Sequence, residues 1–164
     1  MAGSALKNCR NYLPFAVIVM IALLMASAKQ ADYGAWSWMP WMNDFMGFSF
    51  VLFSMFKFFD LSGFADGFQL YDLLAMRFRP YAYIYPFLEL GLGLSYLARW
   101  QPMAVYTVTT LVMLHSALGV ICARAKGLDI ESVCAGTVHK VPLSTIVLVE
   151  NVSMAVMAGS MLIM

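Results

Sequence analysis

Ionisable side chains are few in this chain, and most stand alone inside apolar runs, where a charge needs a reason. The stretch from Trp41 to Tyr96 holds the densest set. A Phe-rich run leads into Lys57 and Asp60. A Gly-containing connector then carries Asp66, Asp72, Arg77 and Arg79, and a second apolar run bears Glu89 near its centre. A lone carboxylate at mid-bilayer costs about 2.5 to 3.5 kcal/mol on insertion scales, so Glu89 is expected to face a bundle interior and find a partner. Glu150, with Asn151 beside it, sits in the same way in a later run, and Lys57 is the obvious cation for either carboxylate. Two readings of this intramembrane polar network of Lys57, Asp60, Asp72, Glu89, His115 and Glu150 stand side by side. One is a set of buried ionic contacts that fixes helix register. The other is a polar pocket for a proton, an ion or a quinone head group.

His115 lies mid-way along another apolar run, within reach of Glu89 or Ser95, and no second His stands at helical spacing from it. It reads as a satisfied packing imidazole, with proton relay or metal ligation as the alternative. Cys122 and Cys134 flank the last polar loop, which His139 and Lys140 close. A thiolate from Cys134, the His139 imidazole and Cys122, if the loop folds back, would make a soft-metal site suited to copper. The alternative is small side chains filling space. Without a C-x-x-C pair there is no local two-thiol centre.

The elements that must position these residues are greasy. The chain has 164 residues, 62% of them apolar and 12% charged, with a net charge of +1. Ordinary soluble domains carry about 25% charged residues, so this is a membrane protein. No basic stripe is present, which sets nucleic acid aside as a partner. Three cysteines are too few and too scattered for a disulfide framework, and the 14 methionines read as packing residues before copper ligands.

Five apolar runs are long enough to be read as spans: Leu13 to Ala28, then roughly Asn43 to Phe59, Tyr81 to Ala98, Met103 to Ala123 and Leu143 to Leu162. They are continuous rather than alternating, so helices are expected and not a barrel. The first also has the shape of a signal peptide. It is read as a retained helix because Trp36, Trp38 and Trp41 follow it as an interfacial belt. Pro80, Pro102, Gly127 and Pro142 mark boundaries. Between Leu61 and Arg79, apolar residues at Phe64, Phe68, Tyr71, Leu74, Ala75 and Phe78 predict a short amphipathic helix, on the cytoplasmic surface or tucked between the spans. One side of the membrane receives Lys7, Arg10, Lys57, Arg77, Arg79, Arg124, Lys126 and Lys140, and the other only Lys29 and Arg99. That asymmetry predicts a cytoplasmic N-terminus and a periplasmic C-terminus in a bacterial inner membrane.

Three segments carry a family likeness: FMGFSFVLFSMFKFFDLSGFADGFQLYDLLA, YAYIYPFLELGLGLSYL and CAGTVHKVPLSTIVLVENVSMAVMA. With their F-K-x-x-D, G-F-A-D, Y-D and Y-P-F-x-E-L elements in this order, they resemble the MauE/DoxX family of redox-associated membrane proteins, in particular the group linked to heavy-metal-associated domains. The likeness runs from Trp41 to the C-terminus. It implies a DoxX-like four-helix bundle over residues 41–164, with residues 1–40 adding one further transmembrane helix and an outer aromatic loop. The positions matching the family motifs are Lys57, Asp60, Gly63, Phe64, Asp66, Tyr71, Asp72, Tyr85, Pro86, Glu89, Cys134, Gly136, Pro142 and Glu150. Relatives of this group read C-A-C-L-G before the last helix, whereas here Ser132 stands in place of the first cysteine. One thiol alone cannot run an intramolecular dithiol cycle, so Cys134 must pair with Cys122 or with a partner protein, or the redox work is lost.

Three functions remain open. A redox-associated accessory protein would pass electrons or disulfides to a partner through a reactive Cys134. A copper-handling protein would gather Cys122, Cys134 and His139. A structural or assembly subunit, as a homo-oligomer or against another membrane protein, would have its Phe50, Phe53 and Met46 face covered. Quinone, lipid and copper are the ligands these readings admit.

Overall fold

The computed structural model describes residues 2–31, 34–125 and 143–164. All regular structure among them is helical: α1 (Ala2–Ala31), α2 (Trp38–Phe59), α3 (Leu61–Phe68), α4 (Arg79–Ala98), α5 (Pro102–Ala125) and α6 (Leu143–Ile163). By length and hydropathy α5 and residues 146–163 of α6 are each able to cross a membrane, and α2 with α3 makes a third such unit if the bent pair is one span. Phe15–Ala31 of α1 is a shorter apolar helix. Of the five runs read as spans, two or three are long and apolar enough to cross a membrane by length and composition among the described residues. Helix α4 falls outside that set because Glu89 and four tyrosines (Tyr81, Tyr83, Tyr85 and Tyr96) dilute its leucines.

The expected amphipathic helix is present but shorter than its apolar pattern, ending at Phe68. It turns by 102° from α2. Asp60 makes the corner: it ends α2 and caps α3, its carboxylate accepting from the Gly63 amide at 2.9 Å. Such a cap satisfies one of the free donors in the first turn. The helix is tucked into the bundle, with Phe64, Ala65 and Phe68 buried, followed by Tyr71 and Ala75 from the connector, while Leu74 and Phe78 stay exposed.

Helix α2 packs on α4 and α1, and α5 packs on α6. The α2–α4 contact depends on a pair of glycines. A Cβ on Gly93 would lie 3.0 Å from the Gly47 carbonyl oxygen, and one on Gly47 only 2.6 Å from Leu97 Cγ. Small residues let helix backbones approach closely in lipid, where the hydrophobic drive between helices is absent. Helix α1 lies on α2 through Ala22 and Ala26 against Phe45, a Phe15–Phe53 stack at 5.6 Å and a 3.2 Å hydrogen bond from Trp41 Nε1 to Ser27 Oγ.

Filling the α2–α4 contact should be disruptive. We expect Gly93→Leu to lower stability by about 1 to 3 kcal/mol, the range for overpacking, and Gly93→Ala by less. Thermal unfolding in detergent measures both, and an unchanged Gly93→Leu protein would contradict the close approach.

Candidate functional site

Lys57 lies in the last turn of α2, just before the 102° bend, and its side chain reaches into the bundle. Its ammonium donates to both carboxylate oxygens of Glu89, each at 2.5 Å. Glu89 lies on α4 one turn beyond Pro86 and is 0% exposed. Glu150 of α6 is 7% exposed and brings its Oε1 to 3.9 Å from the same ammonium. The turn into α3 places Phe64 over Lys57, and Tyr85 approaches from α4, each ring centroid 5.4 Å from the nitrogen. Aromatic faces attract a cation at this range. Tyr85 also faces Glu89 and Ser116. Ser116 of α5 accepts a 2.9 Å hydrogen bond from the Asn151 amide of α6. Side chains from α2, α3, α4 and α6 therefore meet at one largely buried ammonium, and Ser116 of α5 joins them through Tyr85 and Asn151.

Of the network expected from sequence, Lys57, Glu89 and Glu150 converge there. Asp60 does not join them: it is exposed and serves as the cap at the α2–α3 corner. Asp72 and His115 form a separate pair. Asp72 is buried, its Oδ1 accepts from the Leu74 and Ala75 amides at 3.0 Å, and His115 Nε2 lies 3.9 Å from that oxygen. His115 thus faces Asp72 rather than Glu89 or Ser95, and Ser95 donates to the Gly91 carbonyl instead. Asp66 and Arg79 pair at 2.8 Å on the surface.

Cys122 is exposed near the end of α5, in a shallow crevice with Leu70, Tyr71 and Met76. Cys134 and His139 lie outside the described residues. Among the described residues no three His, Cys, Asp or Glu side chains come together as a metal-binding group.

A second buried ionic site was not foreseen. Asp44, on the first turns of α2, is 0% exposed; it accepts from Lys29 of α1 at 2.6 Å and lies 3.8 Å from Arg99 at the end of α4. Asn43 beside it accepts from the Tyr106 hydroxyl at 2.8 Å. The signal was available. Lys29 and Arg99 are the two cations assigned to one side of the membrane, and Asp44 is the carboxylate in the apolar run that starts there.

The family model described as "Methylamine utilisation protein MauE" matches residues 38–164. No curated protein and no solved structure matches the chain. With most of its length matched, the chain belongs to the MauE family, and it is a multi-pass membrane protein.

The Asp44 site holds α1 to the rest. A hydrogen bond to a charged group contributes about 1.5 to 3 kcal/mol, and the lower figure suits Lys29, whose side chain is 34% exposed. We expect Asp44→Asn to speed amide hydrogen exchange in residues 22–31 by about tenfold while leaving α5 unchanged. Equal exchange in both proteins would show that Asp44 does not fasten α1.

Proposed function

We propose that this MauE-family protein is an accessory factor of methylamine utilisation in a bacterial inner membrane, supporting thiol/disulfide or electron transfer to a partner protein. The family match over residues 38–164 is the observation that carries the accessory role. The division of the chain near residue 40 into an added first helix and a family domain belongs to the same reading, as does a cytoplasmic N-terminus with a periplasmic C-terminus. The excess of Lys and Arg on one side supports that orientation.

The thiol role is supported by Cys122, exposed at the end of the helix that runs into the segment bearing Cys134. Exchange would proceed by attack of one thiolate on a disulfide sulfur of the partner, giving a mixed disulfide and releasing a partner thiolate. The second cysteine would then displace the partner. Two thiols here become one disulfide, and one disulfide there becomes two thiols. In a reducing cytosol such a bond is transient rather than structural.

A non-catalytic assembly subunit is the second reading. The face expected to be covered by a partner, Met46, Phe50 and Phe53, is buried within this chain's own bundle, so the exposed apolar row Leu111, Leu114, Leu118 and Ile121 along α5 is the surface on which this reading rests.

Deleting the gene should abolish growth on methylamine but not on other carbon sources. In membranes, maleimide should label Cys122, and Cys134→Ser should accumulate a mixed disulfide through Cys122 that reducing agent releases. Growth on methylamine that tolerates loss of both cysteines, with no trapped species, would replace thiol exchange by the assembly reading.

A further inference from the structure

The charges at the Lys57 centre do not balance. Two carboxylates, Glu89 and Glu150, face a single ammonium. Lys57 is engaged by both oxygens of Glu89 at bonding distance, whereas Glu150 stands 3.9 Å off. Glu150 Oε1 is buried and accepts no hydrogen bond. A carboxylate withdrawn from water carries a penalty of several kcal/mol, which a cation 3.9 Å away and already bonded by Glu89 offsets only in part.

Among the described residues, the other groups around the centre supply no second positive charge. From α3 the neighbour is Phe64. The connector contributes Tyr71, and Asp72 of that connector is taken up by the Leu74 and Ala75 amides and lies 3.9 Å from His115. Helix α4 adds Tyr81 and Tyr85, α5 adds Ser116, and α6 adds Asn151, which is hydrogen-bonded to that serine. Asp66 and Arg79 neutralise one another at the surface. Every one of these contacts is neutral, acidic or self-compensated.

We propose that Glu150 is the binding site for one proton, with Lys57 balancing the ionised Glu89 that it bonds. The protonated Glu150 and the Lys57–Glu89 pair are together neutral enough for burial, and the two carboxyls compete for the one ammonium, so their titrations are linked. Tyr85, against Glu89 and Ser116, gives the site hydroxyl neighbours that can reorient with the proton. Lys57 keeps 16% of its side chain exposed at the surface of the bundle. This inference is independent of the thiol chemistry and would stand for an assembly subunit as well.

Infrared difference spectroscopy of the purified protein in detergent, in the carbonyl-stretching region of protonated carboxyls, tests it. At neutral pH the parent should show a protonated-carboxyl band that Glu150→Gln removes. Glu89→Gln should remove it too, since either substitution leaves one carboxylate for one ammonium. Lys57→Met should raise the band about twofold, because both carboxyls must then be protonated. Should one amide variant fail to fold, the other gives the same reading. Absence of the band in the parent, its survival in both amide variants, or its loss when sodium is added would each overturn the proton site.

Discussion

A hydrocarbon bilayer cannot solvate a charge, and that constraint organises this protein. Lys57 has to find its counter-charge inside the bundle. The answer it finds, Glu89 at bonding distance and Glu150 beyond it, ties the end of α2 to α4 and α6. The sharp turn at Asp60 then serves the same end by bringing Phe64 across the ammonium. Removing one partner of such a buried pair costs about 3 to 5 kcal/mol, more than most packing contacts, so the position of three helices follows from one nitrogen.

A second ionic centre lies 13 residues earlier on α2, about 20 Å away along the helix axis, and its imbalance has the opposite sign. There one buried carboxylate, Asp44, meets two cations, Lys29 and Arg99. Lys29 comes from α1, outside the residues matched to the family, so this centre joins α1 to the matched part of the chain. Arg99 reaches it from a left-handed C-cap with φ of 52°. A non-glycine residue in that region is uncommon and is held by its surroundings, here two cap hydrogen bonds and the acidic neighbour.

Much of this was legible beforehand, and the physical reasons are particular. Glu89 and Lys57 stood out because an isolated charge in an apolar run announces a partner, and the connector between their helices is short enough to let them meet. Asp44 escaped notice because it neighbours the tryptophans of the boundary, where a carboxylate needs no explanation, although in the fold it is fully buried. Asp60 was grouped with the buried charges on sequence proximity to Lys57, yet a residue at a helix corner is recruited by free backbone amides first. His115 could not be assigned by spacing alone, since its partner Asp72 comes from an irregular segment whose path periodicity does not describe.

The family match defines the protein as a MauE-type membrane protein, and the buried ionic core is the feature that any account of its work must keep intact. Its central claim is that Lys57 and Glu89 act on each other directly. A double-mutant cycle with Lys57→Met, Glu89→Gln and the combined variant, read as reversible unfolding in mixed micelles, isolates that interaction. A coupling energy above about 1.5 kcal/mol, with the combined variant more stable than Lys57→Met alone, is the predicted result. Additive effects within about 0.5 kcal/mol would contradict the account.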